Sequence, residues 1–176
     1  TTAEKVEQHV LMVPKNMKRK LLAHVLSDGA LKRVIIFTRT KHGANRVSRN
    51  LEQLGILSSA IHGNKSQNAR QNALNEFRDG KIRVLVATDV AARGIDVDEI
   101  THVINYDLPN EPDSYVHRIG RTARAGSEGS ALTFLTPDDR SMWNSISKLI
   151  DPNFKPAPSG LRKNSKGKKR SKAPYN

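Results

Sequence analysis

The residues in this chain best suited to chemistry are three arginines, Arg118, Arg121 and Arg124, set at i, i+3 and i+6 in the run His-Arg-Ile-Gly-Arg-Thr-Ala-Arg from His117 to Arg124. Residues at that spacing lie on one face of a helical turn. Three guanidiniums so placed repel one another unless an anion joins them. Arginine presents a planar fork of donors that matches phosphate, and an arginine delivered to a phosphoryl group stabilises charge that develops during transfer. An exposed basic helix end would read the same way in isolation, so the meaning of the run depends on what else the fold brings to it.

The elements that must position it can be read from apolar periodicity. Strands are expected over Lys5 to Val13, Val34 to Phe37, Ser58 to Ile61, Val84 to Ala87, His102 to Tyr106 and Ser130 to Leu135. Two of them, Val-Ile-Ile-Phe and Val-Leu-Val-Ala, are apolar on both faces, as strands buried inside a parallel sheet must be. Between them lie amphipathic helices marked by Met17, Leu21, Leu22 and Val25, by Ala44, Val47, Leu51 and Leu54, and by Ala69, Ala73, Leu74 and Phe77. Gly55 and Gly80 are stop signals, and Thr136-Pro137-Asp138-Asp139 starts a last helix that carries Met142, Trp143, Ile146 and Leu149. Alternation of this kind predicts an α/β fold with a doubly wound, mostly parallel sheet, whose ligands sit beyond the carboxyl ends of the strands.

That rule singles out the polar residues that follow each strand: Thr38, Arg39 and Thr40, then His62 and Gly63, then Thr88 and Asp89. Thr40 is expected to be an ordinary helix N-cap. The segment from Ala87 to Asp96 is different, because it places two carboxylates, Arg93 and Gly94 in a turn that packing alone gives no reason for.

The 176-residue chain has a formal net charge of +13 and no cysteine, so it has neither a disulfide framework nor a thiolate metal site. Its histidines are scattered, and no metal site is expected. With no apolar run near the roughly 20 residues of a membrane span, a soluble, cytoplasmic protein is expected. From Leu161 to Asn176 there are seven basic residues and no acidic one, which leaves 23 basic against 17 acidic, or +6, for the rest. We therefore expect one globular domain over residues 1–151 and a Pro/Ser/Lys-rich tail over 152–176, disordered because it is too poor in apolar residues to offset the entropy of ordering and basic enough to act as a nucleic-acid-binding arm.

Phe37-Thr38 with Thr40, Gln67-x-x-Arg70, the Thr88 to Asp96 segment and His117 to Arg124, in this order, resemble the motifs of the second RecA-like domain of DEAD-box RNA helicases. The resemblance spans about Glu4 to Leu149. Related DNA-directed helicases usually begin the arginine motif with Gln, so His117-Arg118 favours the DEAD-box branch. Gly126, the run His62-Gly63-x-Lys65-Ser66-Gln67 and the Lys-rich end are similar to the bacterial RhlE group.

The resemblance implies roles. Arg121 and Arg124 match arginine fingers that reach the γ-phosphate of ATP, and His117 and Arg118 match residues that tie this motif to the acidic motif of the other domain. Asp96 matches a carboxylate that accepts from the ribose hydroxyl, and Arg93 a neighbour that supports the nucleotide. Gly63, Gln67, Arg70 and Thr88 match the surface that grips the RNA sugar-phosphate backbone, with Thr38 in the flanking motif. Ala123 stands where glycine is common and Asn64 where aspartate is common. The chain contains no phosphate-cradling Gly-x-x-x-x-Gly-Lys loop and no Asp-Glu-Ala-Asp, so ATP and Mg²⁺ are expected to be held chiefly by an N-terminal RecA-like domain of the same protein. The chain, which does not begin with Met, is expected to be the C-terminal half of an RNA-stimulated ATPase, inactive alone. A non-catalytic RNA-binding module on the same fold is the alternative, and a DNA translocase a second rival.

Truncation after Ser159 is expected to leave the fold intact while weakening RNA binding in a salt-dependent way. If about four basic residues of the tail engage at once, at a slope near −0.7 per contact on single strands, the log-log salt dependence becomes shallower by roughly 3 units. Affinities at several salt concentrations check this; an unchanged slope would reduce the tail to a solubilising end.

Overall fold

The structure, a computed structural model, describes residues 5–93, 95, 100–122 and 129–156. Its strands are β1 (Val6–Met12), β2 (Val34–Phe37), β3 (Ser58–Ile61), β4 (Val84–Ala87), β5 (His102–Asn105) and β6 (Gly129–Leu135). They form one sheet in the order β1-β6-β5-β2-β4-β3, with every neighbouring pair parallel. The helices are α1 (Lys18–Leu26), α2 (Lys41–Gln53), α3 (Gln67–Arg78), α4 (Asp89–Ala92), α5 (Pro112–Ile119) and α6 (Arg140–Ile150), with short 3-10 turns before α1 and α6. The expected fold class holds, and β2, β3 and β4 fall where the apolar runs placed them.

All residues of β2 and β4 are buried, because the sheet is covered on both sides. Ile35, Phe37, Leu85 and Val103 face a core shared with Phe77, Tyr115, Ile119 and Ile146 of α3, α5 and α6. Val34, Ile36, Val84 and Ile104 face a second core shared with Leu21, Leu22, Val47 and Leu51 of α1 and α2. Three expected core positions are not in it, the first being Ala69, which is exposed in the first turn of α3. The other two are Leu54, which falls one residue past α2, at its C-cap, and Leu149, on the outer side of α6; both are about half exposed.

Local signals explain the boundaries. Thr40 caps α2 by accepting from Gly43 N at 3.0 Å, and Ser66 caps α3 by accepting from Ala69 N at 3.0 Å. Thr136 and Asp139 close a capping box ahead of α6. Gly55 and Gly80 take φ of +78° and +81° just past α2 and α3, a conformation that costs glycine nothing.

The strand order reverses at β2. From β2 the chain crosses to β3 at the edge and returns through β4, which lies between β3 and β2, then passes β2 to reach β5 and β6 on the other side. The connections after β2 and β5, which are neighbouring strands, therefore leave in opposite directions, and this opens at their carboxyl ends the crevice that such sheets use for ligands.

At the opposite, amino end of the sheet, Gly129 begins β6 against Thr122. A Cβ there would lie 1.8 Å from Thr122 Oγ1 and 2.7 Å from its Cβ, and Thr122 is buried with a short, branched side chain that cannot swing away. Gly129→Ala is expected to destabilise the domain by about 1–3 kcal/mol through overpacking, lowering Tm by roughly 2–4 °C per kcal/mol. A thermal melt checks it, with Gly63→Ala as a control, since a Cβ at Gly63 meets nothing within 4 Å.

Candidate functional site

A small cleft of about 60 Å³ opens at the reversal point, lined by Phe37 at the end of β2, by Asp89, Ala92 and Arg93 after β4, and by Ser114, His117, Arg118 and Arg121 on and after α5. Four of the residues expected to serve a nucleotide, Arg93, His117, Arg118 and Arg121, thus meet on one wall. Asp96 and Arg124 lie outside the described residues.

The expected single face of a helix is corrected. α5 ends at Ile119 with Gly120 as its C-cap, and the chain continues in tight i to i+3 turns, Arg121 N bonding Arg118 O and Thr122 N bonding Ile119 O. Arg118 is on the helix and Arg121 is past it, so the two guanidiniums go to different places.

Arg118 goes inward. It is only 1% exposed, and four of its N–H donors are engaged within the domain. Nε and Nη2 form a fork with Asp89 Oδ1 and Oδ2 at 2.7 and 2.9 Å, and Nη1 donates to Asn105 Oδ1 at 3.2 Å and to Asp107 O at 2.6 Å. The Phe37 ring lies 5.0 Å from its guanidinium carbon. Arg118 therefore builds the cleft wall and is not positioned to project a free fork across it. Asp89 likewise has a structural task that its sequence context does not reveal, since its carboxylate neutralises a buried cation.

Arg121 stays at the cleft. It is half-buried, and Nη1 donates to Ile95 O at 2.8 Å. His117 and Arg93 are exposed at the mouth. Asp107 supports the rim from the other side: its carboxylate accepts from Lys18 Nζ at 2.9 Å and from Arg39 N at 3.0 Å. Sequence reasoning passed over Asp107 and Asn105. Their polar side chains at the buried carboxyl end of β5 were the available signal.

The residues expected at an RNA surface gather on the neighbouring rim, after β3 and β4. Gly63 and Gln67 are exposed. Arg70 reaches across from α3 to donate to Ala91 O of α4 at 3.2 Å. Thr88 caps the same α4, its hydroxyl 3.5 Å from Ala91 N. Thr38 is different. It is fully buried, with Oγ1 donating to Thr40 O at 3.0 Å, so it shapes the rim from beneath and offers no side-chain atom to a ligand.

Comparison with known proteins places this arrangement. Residues 17–126 match the helicase conserved C-terminal domain. The chain is 46% identical over 148 residues to the ATP-dependent RNA helicase RhlB of Pseudomonas syringae pv. tomato, covering 84% of this chain and 37% of that protein. The fold superposes on the E. coli DEAD-box protein SrmB, solved bound to the regulator of ribonuclease activity A, with a TM-score of 0.79 and 36% identity over 84% of this chain and 87% of that one. It also superposes on S. cerevisiae Dbp5 bound to RNA and ADP BeF3, with a TM-score of 0.77 and 31% identity, over 83% of this chain and 39% of that one. The chain belongs to the helicase C-terminal domain family, as a RecA-like domain of the DEAD-box RNA helicase type. It spans well under half the length of the curated relatives it matches.

Asp89→Ala is expected to lower folding stability by about 3 kcal/mol, because it strands a buried guanidinium; the low end of the range applies, since the Asp89 side chain keeps 29% exposure. Adding Arg118→Met should recover most of the loss. Denaturant unfolding of both variants tests this, and a single substitution costing less than about 1 kcal/mol would remove the pair as the organising contact of the cleft.

Proposed function

We propose that this chain is the C-terminal half of an ATP-dependent RNA helicase, which supplies arginines to the γ-phosphate of ATP and one part of an RNA backbone-binding surface. The cleft carries the nucleotide part of this reading. Its lining holds Arg93, His117 and Arg121 around a space of about 60 Å³, room for a phosphate group. The donor set suits an anion. Among the described residues the one carboxylate that lines the cleft, Asp89, is committed to Arg118, and metal and the remaining phosphate contacts are assigned in this reading to an N-terminal RecA-like domain.

The RNA part rests on the next rim. Gln67, Arg70 and Thr88 carry donors suited to phosphate and sugar, with no array aimed at base edges, so binding is expected to tolerate any sequence. At Gly63 neither a positive φ nor local packing demands glycine, which leaves close approach of a ligand backbone as its use. ATP and RNA would each bind across two domains, so that closure assembles both sites together and release reopens them. The RhlE-like placement stays part of this proposal; two of its three marks, Gly126 and the Lys-rich end, lie outside the described residues.

In the complete protein, Arg121→Ala is expected to lower kcat by about 10³-fold with much less effect on ATP affinity, because a finger acts mainly on charge that develops during transfer. Arg121→Lys should rescue poorly, since a point charge lacks the fork. Steady-state ATPase assays at saturating RNA check both; near-normal turnover by the lysine variant would overturn the role.

A further inference from the structure

Between β3 and α3 the chain runs His62-Gly63-Asn64-Lys65-Ser66, and its shape is fixed by one side chain. His62 is 3% exposed. Its Nδ1 lies 3.2 Å from the backbone N of Asn64, and its Nε2 lies 2.9 Å from Asn45 Oδ1 on α2. A backbone N–H can only donate, so Nδ1 must be a bare acceptor. The proton is then on Nε2, which donates to Asn45. Only the neutral ring in this tautomer makes both bonds.

The surroundings keep it neutral. Burial, the largest cause, and then the cations Lys65 and Lys41 with His42 hold the His62 pKa below the usual imidazole range. The turn is completed by Lys65 N bonding His62 O at 3.0 Å, and Lys41 Nζ reaches Asn64 Oδ1 at 3.4 Å. The turn therefore hangs from α2 through His62, while its other end enters α3 at the Ser66 cap, one residue before Gln67.

We propose that His62 is a positioning residue for RNA binding: through Nδ1 it holds the Gly63-Asn64 turn in the form that lets an RNA backbone lie against Gly63 and Gln67. The inference rests on the RNA surface proposed above. It assigns His62 no contact with RNA. The ring contact needs only the backbone N–H at position 64, while the Asn64 side chain adds a second tie, to Lys41 of α2.

The two ring nitrogens can be tested separately. His62→Asn retains a polar acceptor near the Nδ1 position and loses the reach to Asn45; His62→Gln retains a donor near the Nε2 position and loses the acceptor for Asn64 N–H. Each variant removes one hydrogen bond, so both should melt at similarly reduced temperatures. RNA affinity should split. In the complete protein held with ADP and beryllium fluoride, a short single-stranded uridine oligomer is expected to bind His62→Gln about tenfold more weakly than the parent, the size of one hydrogen bond left unmade. His62→Asn should stay within about threefold. Equal affinities for the two variants, whether both weak or both normal, would overturn the positioning role. Gln67→Ala, measured alongside, separates this failure from that of the underlying reading: if it binds as the parent does, the RNA surface itself is misassigned. Should His62→Gln not fold, the ¹⁵N shifts of the parent's His62 ring decide instead. A bare Nδ1 before and after RNA addition is expected, and an Nδ1–H tautomer would refute the proposal.

Discussion

One buried guanidinium organises the carboxyl end of this sheet. Arg118 enters from α5 and meets Asp89 after β4, Asn105 on β5, the Asp107 carbonyl beyond β5 and the Phe37 ring at the end of β2. Those strands neighbour one another at the reversal of the sheet, and their carboxyl ends are buried. A cation placed there would be ruinous alone, since removing an ion from water costs several kcal/mol. The fork to Asp89 and the bonds to Asn105 and Asp107 offset that cost, and they leave the cleft wall with one geometry in place of several. Asp107 extends the same framework outward through Lys18 and the Arg39 backbone, so the tips of β2 and β5 and the start of α1 are set by one connected network.

The four-residue helix α4 lies between the two candidate surfaces and is tied to both. Asp89, at its first position, belongs to the Arg118 network, while Thr88 caps it and Arg70 donates to its Ala91 carbonyl from α3. A helix this short has almost no stability of its own, so its position follows from these attachments. Arg70 and Arg118 thus hold opposite attachments of the same short helix.

Much of the fold was legible because burial on both faces leaves a plain trace. Val-Ile-Ile-Phe and Val-Leu-Val-Ala could be nothing but central strands once helical patterns flanked them, and Thr40, Gly55, Gly80 and Thr136 marked the ends of helices through local backbone chemistry. The site was legible as a set of positions and less so as a set of roles. Arg118 and Arg121 look alike in sequence, yet Gly120 ends the helix between them and sends one into the interior and one to the cleft. Asp89 looked like a candidate ligand because its partner is 29 residues away, and pairing at that distance leaves no periodic signal. Thr38, read as a rim residue, is covered by the turn it supports.

Charge was the most misleading quantity. An excess of basic residues suggests an anionic partner, but several cations here serve the fold. Arg33 stacks on Phe77, 4.6 Å from the ring centre, and donates to the Phe77 carbonyl at the end of α3. Arg83 donates to the Leu26 and Leu31 carbonyls at and beyond the end of α1. Both meet carbonyls that a helix leaves unpaired at its C-terminus, where the macrodipole also favours a positive charge. Both lie at the end of the sheet away from the cleft. Together with Arg118 and Lys18 they remove four cations from any count of those available to phosphate. Place on the carboxyl rim does not by itself separate the two kinds of cation: Arg118 and Lys18 also stand there but are turned to internal partners, whereas Arg93 and Arg121 keep exposed surface in the lining of the cleft.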